Sequence, residues 1–366
     1  MTSRVQVVVG ARPNFVKAAP LVHALVEVGD VDVELIHTGQ HYDRALSEGF
    51  FEQLDIPAPT HHLGVGSGTQ AEQTAAVLVG VERVLAEQPP DALVVAGDVN
   101  STMGAALAAA KLGVPVVHLE AGLRSRDWSM PEEINRVVTD RVADLLLCHC
   151  QEAVDNLIAE GVPRERIALV GNTMIDSLLR LLPVARAKDT LNTLGLASRE
   201  FVLVTLHRPA LVDDAVLLGA VLEVLSDLGR ELPVVFPMHP RTRARLESGP
   251  TLDGTHVRLL EPLDYLDFIA LEAEARLVIT DSGGVQEETS ALGTPCLTYR
   301  DTTERAITAE LGTNRMVGVD PDALRAACQH ELARQMPTDR PEIPLWDGRA
   351  GPRAAKAITD FLSSRG

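Results

Sequence analysis

Residues 277–305 read LVITDSGGVQEETSALGTPCLTYRDTTER. An apolar, β-branched run (Leu277 to Thr280) ends in Asp281-Ser282-Gly283-Gly284, a helical pattern follows, and a second apolar run starts at Thr294-Pro295. This is the pattern of a strand, a tight glycine turn, a helix and the next parallel strand. The first amides of such a helix have no partner within it, and the macrodipole puts partial positive charge at the same end. Two glycines let an anion approach the backbone, so phosphate is the natural ligand. No Lys-Ser/Thr pair follows, which excludes the nucleoside-triphosphate P-loop. A glycine-rich turn with no ligand has the same local pattern, so the rest of the chain must decide.

Working outward, the same alternation recurs on both sides. In the second half, strand patterns occur at 201–207, 233–239, 257–262, 277–281 and 295–300, with helical patterns between them. In the first half they occur at 5–10, 31–39, 92–98, 114–122, 145–150 and 167–171. ARPNF (11–15) reads as a turn, His61-His62 as a solvated loop and 70–88 as a long amphipathic helix. The expectation is an α/β protein of two Rossmann-like, doubly wound domains facing a central cleft. Residues 1–172 form the first and 173–349 the second, with a helix in 350–366 packing back on the first. In such sheets ligands bind beyond the carboxyl ends of the strands. The GxGxxG fingerprint is absent, so nicotinamide and flavin cofactors are not expected.

The chain has 366 residues, enough for two domains with their own cores. Its net charge of −18 argues against a nucleic-acid partner or an anionic membrane surface, so any anion site must concentrate cations locally. No apolar run approaches a membrane span, and Met-Thr-Ser-Arg runs straight into a strand pattern without a signal-peptide core. A cytoplasmic enzyme is the expectation. Cys148 and Cys150 alternate along one strand with His149 turned to the other face, which favours buried reduced thiols over a metal site.

Polar residues gather where the strands end. Arg12, Lys17, Gln40, Asp98, Glu120, His207, His239 and Ser282 lie at or just past predicted carboxyl ends, and Arg300 and Arg305 follow the last. Each has a local alternative. Asp98 could be an N-cap, Glu120 could pair with Arg124, Glu132 with Arg136 on a helix surface, and His207-Arg208 could merely end a strand. Together, carboxylates, a histidine and cations facing a phosphate-type turn point to acid/base chemistry on a phosphorylated small molecule.

Seven ordered stretches resemble the non-hydrolysing UDP-N-acetylglucosamine 2-epimerases: GARPNFVKAAPL, TGQHYD, GDVNSTMGAALAAAKLGVPVVHLEAGLRS, MPEEINRVVTD, GNTMID, TLHRP and the 280–305 block. The resemblance implies the GT-B arrangement of two Rossmann domains, usually dimeric, with an interdomain active site. It implies elimination of UDP from UDP-GlcNAc to a bound 2-acetamidoglucal, then re-addition to give UDP-ManNAc, with no metal or redox cofactor. It assigns Asp98, Glu120 and Glu132 as catalytic carboxylates and His207 as the histidine near the leaving diphosphate. Arg12, Lys17, Gln40, Gln70, Arg136, Ser282, Gly283, Gly284, Glu288 and Arg305 become substrate or UDP contacts, and Phe268 the aromatic beside the uracil. Carboxylates crowded in one pocket share protons, so one can serve as acid while another serves as base.

The chain also departs from the family pattern. Where many bacterial members have Arg-Arg-Glu it has Arg208-Pro209-Ala210, their QHR segment is Gln40-His41-Tyr42, and an Arg before Gln70 is Thr69. Those positions help bind a second, activating UDP-GlcNAc, so weak or absent allosteric activation is expected. The loop between Glu120 and Glu132 is shorter too. A hydrolysing epimerase, a GT-B glycosyltransferase and a non-catalytic UDP-sugar binder are the alternatives.

Overall fold

The structure, a computed structural model, describes residues 2–39, 51–238, 240–247, 256–336 and 339–365, with the side chains of Arg12, Pro240, Arg241 and Glu247 set aside. Gln40, the segment after it and His239 therefore lie outside the described residues. The chain divides into two compact units, Met1–Ser177 with Pro344–Gly366, and Leu178–Ile343.

In the first unit β1 (Ser3–Val9), β2 (Val31–His37), β3 (His61–His62), β4 (Ala92–Ala96), β5 (Val116–Leu119), β6 (Leu145–Cys148) and β7 (Ile167–Leu169) form one sheet. Its order is β3-β2-β1-β4-β5-β6-β7, and every pairing is parallel. In the second unit β8 (Val202–Thr205), β9 (Val234–Pro237), β10 (Val257–Leu260), β11 (Leu277–Thr280), β12 (Cys296–Thr298) and β13 (Asn314–Met316) run in the order β10-β9-β8-β11-β12-β13, again all parallel. Continuous apolar strands are what a sheet covered on both faces requires. Val202 and Val204 pack into one core cluster with Leu277 and Ile279, while Leu203 and Val278 pack into the cluster on the opposite face. The strand order reverses between β1 and β4 and between β8 and β11, which opens a crevice in each unit.

Two local expectations are corrected and one strand is added. ARPNF is not a turn: the helix Arg12–Val28 begins there, with proline in its first turn and the Asn14 side chain accepting the Ala11 N–H at 3.0 Å. His61 and His62 pair in parallel with Ile36 and His37 as an edge strand. Strand β13 was not foreseen, because Asn-Arg-Met lacks a β-branched run; it forms by pairing with Cys296–Thr298. All four cysteines are buried and free. No helix among the described residues is long and apolar enough to cross a membrane.

The closing helix Ala350–Ser363 packs on Arg12–Val28. Pro20, inside that first helix, has no N–H to offer the carbonyl of Val16, and the Ser177 hydroxyl donates to it instead at 2.6 Å. Gly351 donates its N–H to Asp176 at 2.7 Å and lies so close to Pro20 that a Cβ would stand 2.4 Å from the Pro20 oxygen. Gly351→Ala is therefore expected to destabilise the protein by about 1–3 kcal/mol through overpacking. An unchanged denaturation midpoint would contradict this close approach.

Candidate functional site

In the first unit, β4 and β5 end at Ala96 and Leu119, and the chain leaves both in left-handed conformations, φ +68° at Gly97 and +71° at Glu120. Glycine accepts this freely, whereas for glutamate it costs on the order of 1–3 kcal/mol. Glu120 is held there by backbone contacts, since its N–H and that of Ala121 both donate to the Leu147 carbonyl, at 3.0 and 3.1 Å. Its carboxylate accepts a hydrogen bond from Lys17 Nζ at 2.7 Å, and both side chains are about 5% exposed. A Cβ on residue 97 would stand 3.0 Å from that ammonium, so the glycine also makes room for the pair.

Asp98 accepts from Arg136 Nη1 at 2.5 Å. Arg136 is fully buried and turns its other nitrogens to Glu133, with Nη2 at 2.8 Å and Nε at 3.1 Å. Glu133 also accepts the Ser125 and Arg126 N–H groups, each at 2.9 Å, and so anchors the loop that follows β5. Burial pulls the Glu133 carboxyl upward, but the Ser125 amide, Arg136 and the Arg126 amide outweigh it and hold the group below the usual carboxylate range. Asn135 donates to the Asp98 carbonyl at 2.8 Å, and Asn14 to that of Ala96 at 2.7 Å.

Three of the local alternatives are resolved. Asp98 is not an N-cap, because the next helix starts at Asn100 with Val99 in the cap position. Glu120 pairs with Lys17; Arg124 instead reaches Asp140 and Glu160, each at 2.7 Å. Arg136 pairs with Glu133 and Asp98 rather than with Glu132, which sits half-buried in the first turn of the helix Pro131–Val142. Asp98 and Glu120 each have their own cation, so they are separately charge-paired rather than merely crowded together. Gln70 is exposed at the start of the helix Gln70–Glu87, and Gln73, one turn on, is the residue that accepts from Asn100, at 2.9 Å. Arg12 opens the helix that carries Lys17.

In the second unit, Asp281 follows β11 and is buried. One carboxylate oxygen accepts the His207 and Arg208 N–H groups at 2.8 and 2.7 Å, and the other lies 2.9 Å from His207 Nδ1. Burial would raise the Asp281 carboxyl; the His207 side chain and the two amides overcome that and keep it low. Ser282 is the N-cap of the helix Gly283–Leu292. A Cβ on Gly283 would meet Arg305 Nη1 at 2.7 Å, so the guanidinium lies against the first turn of that helix. Glu287 (3.0 Å from Arg305 Nε) and Glu304 hold Arg305, and Glu304 is shared with Arg300 at 2.9 Å. A helix N-terminus beside a fixed guanidinium is an arrangement able to hold an anion.

Further along this helix, Glu288 accepts the Tyr265 hydroxyl at 2.6 Å. Burial pushes its carboxyl up to about 7, against the pull of Tyr265 and with the help of the Glu287 charge. Glu272 behind it is raised well above the carboxylate range by burial and by Glu288. Phe268 lies half-buried on the same helix as Tyr265. Asp281, Glu133, Tyr265 and Glu272 were not singled out by the sequence reading. Asp281 stood in the turn motif and Glu133 beside Glu132, but only geometry shows what each holds. Among the described residues no group of three or more His, Cys, Asp and Glu side chains could hold a metal ion.

Residues 23–359 match the sequence model of the family described as UDP-N-acetylglucosamine 2-epimerase. A UDP-N-acetylglucosamine 2-epimerase of Methanocaldococcus jannaschii is 38% identical, over 97% of this chain and 99% of its own length. A UDP-2,3-diacetamido-2,3-dideoxy-D-glucuronate 2-epimerase of Pseudomonas aeruginosa is 41% identical, over 98% of this chain and 99% of its own. Among solved structures, the M. jannaschii UDP-GlcNAc 2-epimerase in complex with UDP-GlcNAc and UDP matches with a TM-score of 0.90, covering 98% of this chain and 99% of its own.

The buried Glu133–Arg136 pair sets an expectation for stability. Glu133→Gln removes one of the two carboxylates that pair with Arg136 among the described residues and should cost about 2–4 kcal/mol, whereas Glu132→Gln should change stability by less than about 0.5 kcal/mol. Urea denaturation of the two variants measures both, and equal effects would contradict the assignment.

Proposed function

The chain belongs to the UDP-N-acetylglucosamine 2-epimerase family, and from that premise we propose that it interconverts UDP-GlcNAc and UDP-ManNAc without net hydrolysis. In the proposed reaction a base removes the C2 proton, the C–H electron pair becomes the C1=C2 double bond, and UDP departs with the C1–O pair. UDP then returns to C1 of the glucal while a proton arrives on the opposite face of C2. Asp98, Glu120 and Glu132 supply the base and the acid. His207, oriented by Asp281, and the cradle of Ser282, Gly283, Gly284 and Arg305 take the leaving diphosphate. Gln40, Gln70, Arg12, Phe268 and Glu288 complete the nucleotide-sugar contacts in this reading.

The observation that carries the proposal is that Asp98 and Glu120, just beyond adjacent parallel strands, each sit on a buried cation. A weak carbon acid needs a base at a fixed position, and such pairs fix it. Incubation with UDP-GlcNAc in D2O, followed by NMR, tests the reading. Deuterium at C2 with UDP retained is the expected result. Free ManNAc would indicate a hydrolase, and inertness a transferase or binder. In Asp98→Asn and Glu120→Gln, exchange should fall at least about a hundredfold while UDP still binds; normal exchange in either removes that carboxylate from the reaction.

A second substrate is favoured by one observation, the 41% identity to the P. aeruginosa enzyme that epimerises a diacetamido uronate. The same experiment with UDP-2,3-diacetamido-2,3-dideoxyglucuronate as competitor shows which sugar has the higher kcat/KM.

Glu288 adds a pH dependence. If its carboxylate accepts the ribose hydroxyls, binding requires the ionised form, and that form is gained as pH rises through about 7. UDP-GlcNAc, whose diphosphate is a diester of constant charge in this range, should bind Asp98→Asn several-fold more tightly at pH about 8 than at about 6. A flat calorimetric profile would remove Glu288 from ribose recognition.

A further inference from the structure

His118 lies in β5 with no exposed surface. Its Nδ1 stands 2.6 Å from Asp140 Oδ1, and its Nε2 stands 2.9 Å from the Gly97 carbonyl oxygen. Neither partner has a proton to give. The carbonyl has only lone pairs, and Asp140 is a carboxylate that also accepts from the Gly122 N–H at 3.0 Å and pairs with Arg124 at 2.7 Å. A neutral imidazole has one N–H, so it could satisfy one of these contacts and would set a lone pair against a lone pair in the other.

The Gly97 peptide needs such a contact. Glycine in a left-handed conformation has the widest choice of alternatives, and rotation of the peptide after it would carry Asp98 away from its place. Consecutive residues of β5 hold it on both sides: the Leu119 carbonyl takes the Gly97 N–H at 2.9 Å, and His118 meets the Gly97 oxygen. Through Asp140 and the Gly122 amide, the same side chain is linked to the turn that carries Glu120. Nothing in the family assignment gives His118, Asp140 or Arg124 a part.

We propose that His118 is a buried imidazolium that acts as the positioning residue for Asp98 and Glu120, clamping the Gly97 peptide with one N–H and the Asp140 hub with the other. Among the described residues the charged groups around it are the Asp140 carboxylate and, beyond that, Arg124, with the Cys148 thiol in the field of Asp140 and the Lys17–Glu120 ion pair at the Gly97 turn. This inference rests on Asp98 and Glu120 being catalytic, and its test separates the two ideas.

In 15N-histidine-labelled full-length protein at neutral pH, both ring nitrogens of His118 should carry a bonded proton in the NMR spectrum. One bare nitrogen would overturn the proposal. His118→Gln, whose amide can reach one acceptor but not bridge both, should lose about tenfold to hundredfold in kcat with the Kd for UDP within about twofold. Unchanged kcat in the folded variant, or equal losses of turnover and UDP binding, would also overturn it. Should the variant fail to fold, the spectrum of the native protein decides. Normal exchange in Asp98→Asn would sink the catalytic reading itself, whereas an inactive Asp98→Asn beside a fully active His118→Gln would sink only this one.

Discussion

In a sheet whose strands all run parallel, every carboxyl end lies along one edge, and each following helix starts there too. Both sheets of this protein obey that constraint without exception among the described residues. One consequence is electrostatic, because helix N-termini with unpaired amides collect on the same edge and make it receptive to anions. Another is topological. Each sheet reverses its winding between the pair of strands beside which the candidate site residues gather, β1 and β4 in one and β8 and β11 in the other. Lys17 and Asp98 follow the first pair, and His207 and Asp281 the second.

Against a net charge of −18, three cations at these edges are buried and matched to carboxylates. Lys17 faces Glu120, Arg136 lies between Asp98 and Glu133, and Arg305 between Glu287 and Glu304. Such pairs add little to stability relative to apolar packing, since desolvation offsets most of the attraction. What they supply is position. A guanidinium held by two carboxylates against the Gly283 turn needs no rearrangement when an anion arrives, which is the condition under which electrostatic stabilisation is most effective. In the proposed reading, the carboxylates behind Arg305 would serve an anion without touching it.

The fold was legible in the sequence because its signals are local and repeated. Apolar β-branched runs, glycine stops and helical periodicity are each visible within ten or twenty residues. The failures were equally physical. ARPNF looked like a turn because arginine, proline and asparagine are common there, yet proline in a first helical turn and asparagine reaching back to the Ala11 amide start a helix. Asn314–Met316 is a strand only because its neighbour offers a free edge. In the site, the positions of Asp98, Glu120 and His207 at strand ends were readable, but their partners were not. Lys17 and Glu120 are 103 residues apart, and Asp281 and His207 are 74 apart. Spacing along the chain suggested Arg124 for Glu120 and Glu132 for Arg136, and both suggestions failed because tertiary contacts outcompeted them.

The backbone at Glu120 sets conformational strain against a buried ion pair. A left-handed glutamate costs on the order of 1–3 kcal/mol relative to glycine or an extended residue, and nothing in the secondary structure requires it, since β5 has already ended at Leu119. The conformation turns the carboxylate onto Lys17 while the two successive N–H groups of Glu120 and Ala121 converge on the single Leu147 oxygen. An extended residue 120 would keep the strand regular and break that convergence. The strain is therefore set against an ion pair and a shared acceptor rather than against burial of apolar surface. A glycine would adopt the turn at no cost but leave Lys17 without its anion. Conformational ease and the ion pair thus make opposite demands at this position, and the residue present satisfies the second.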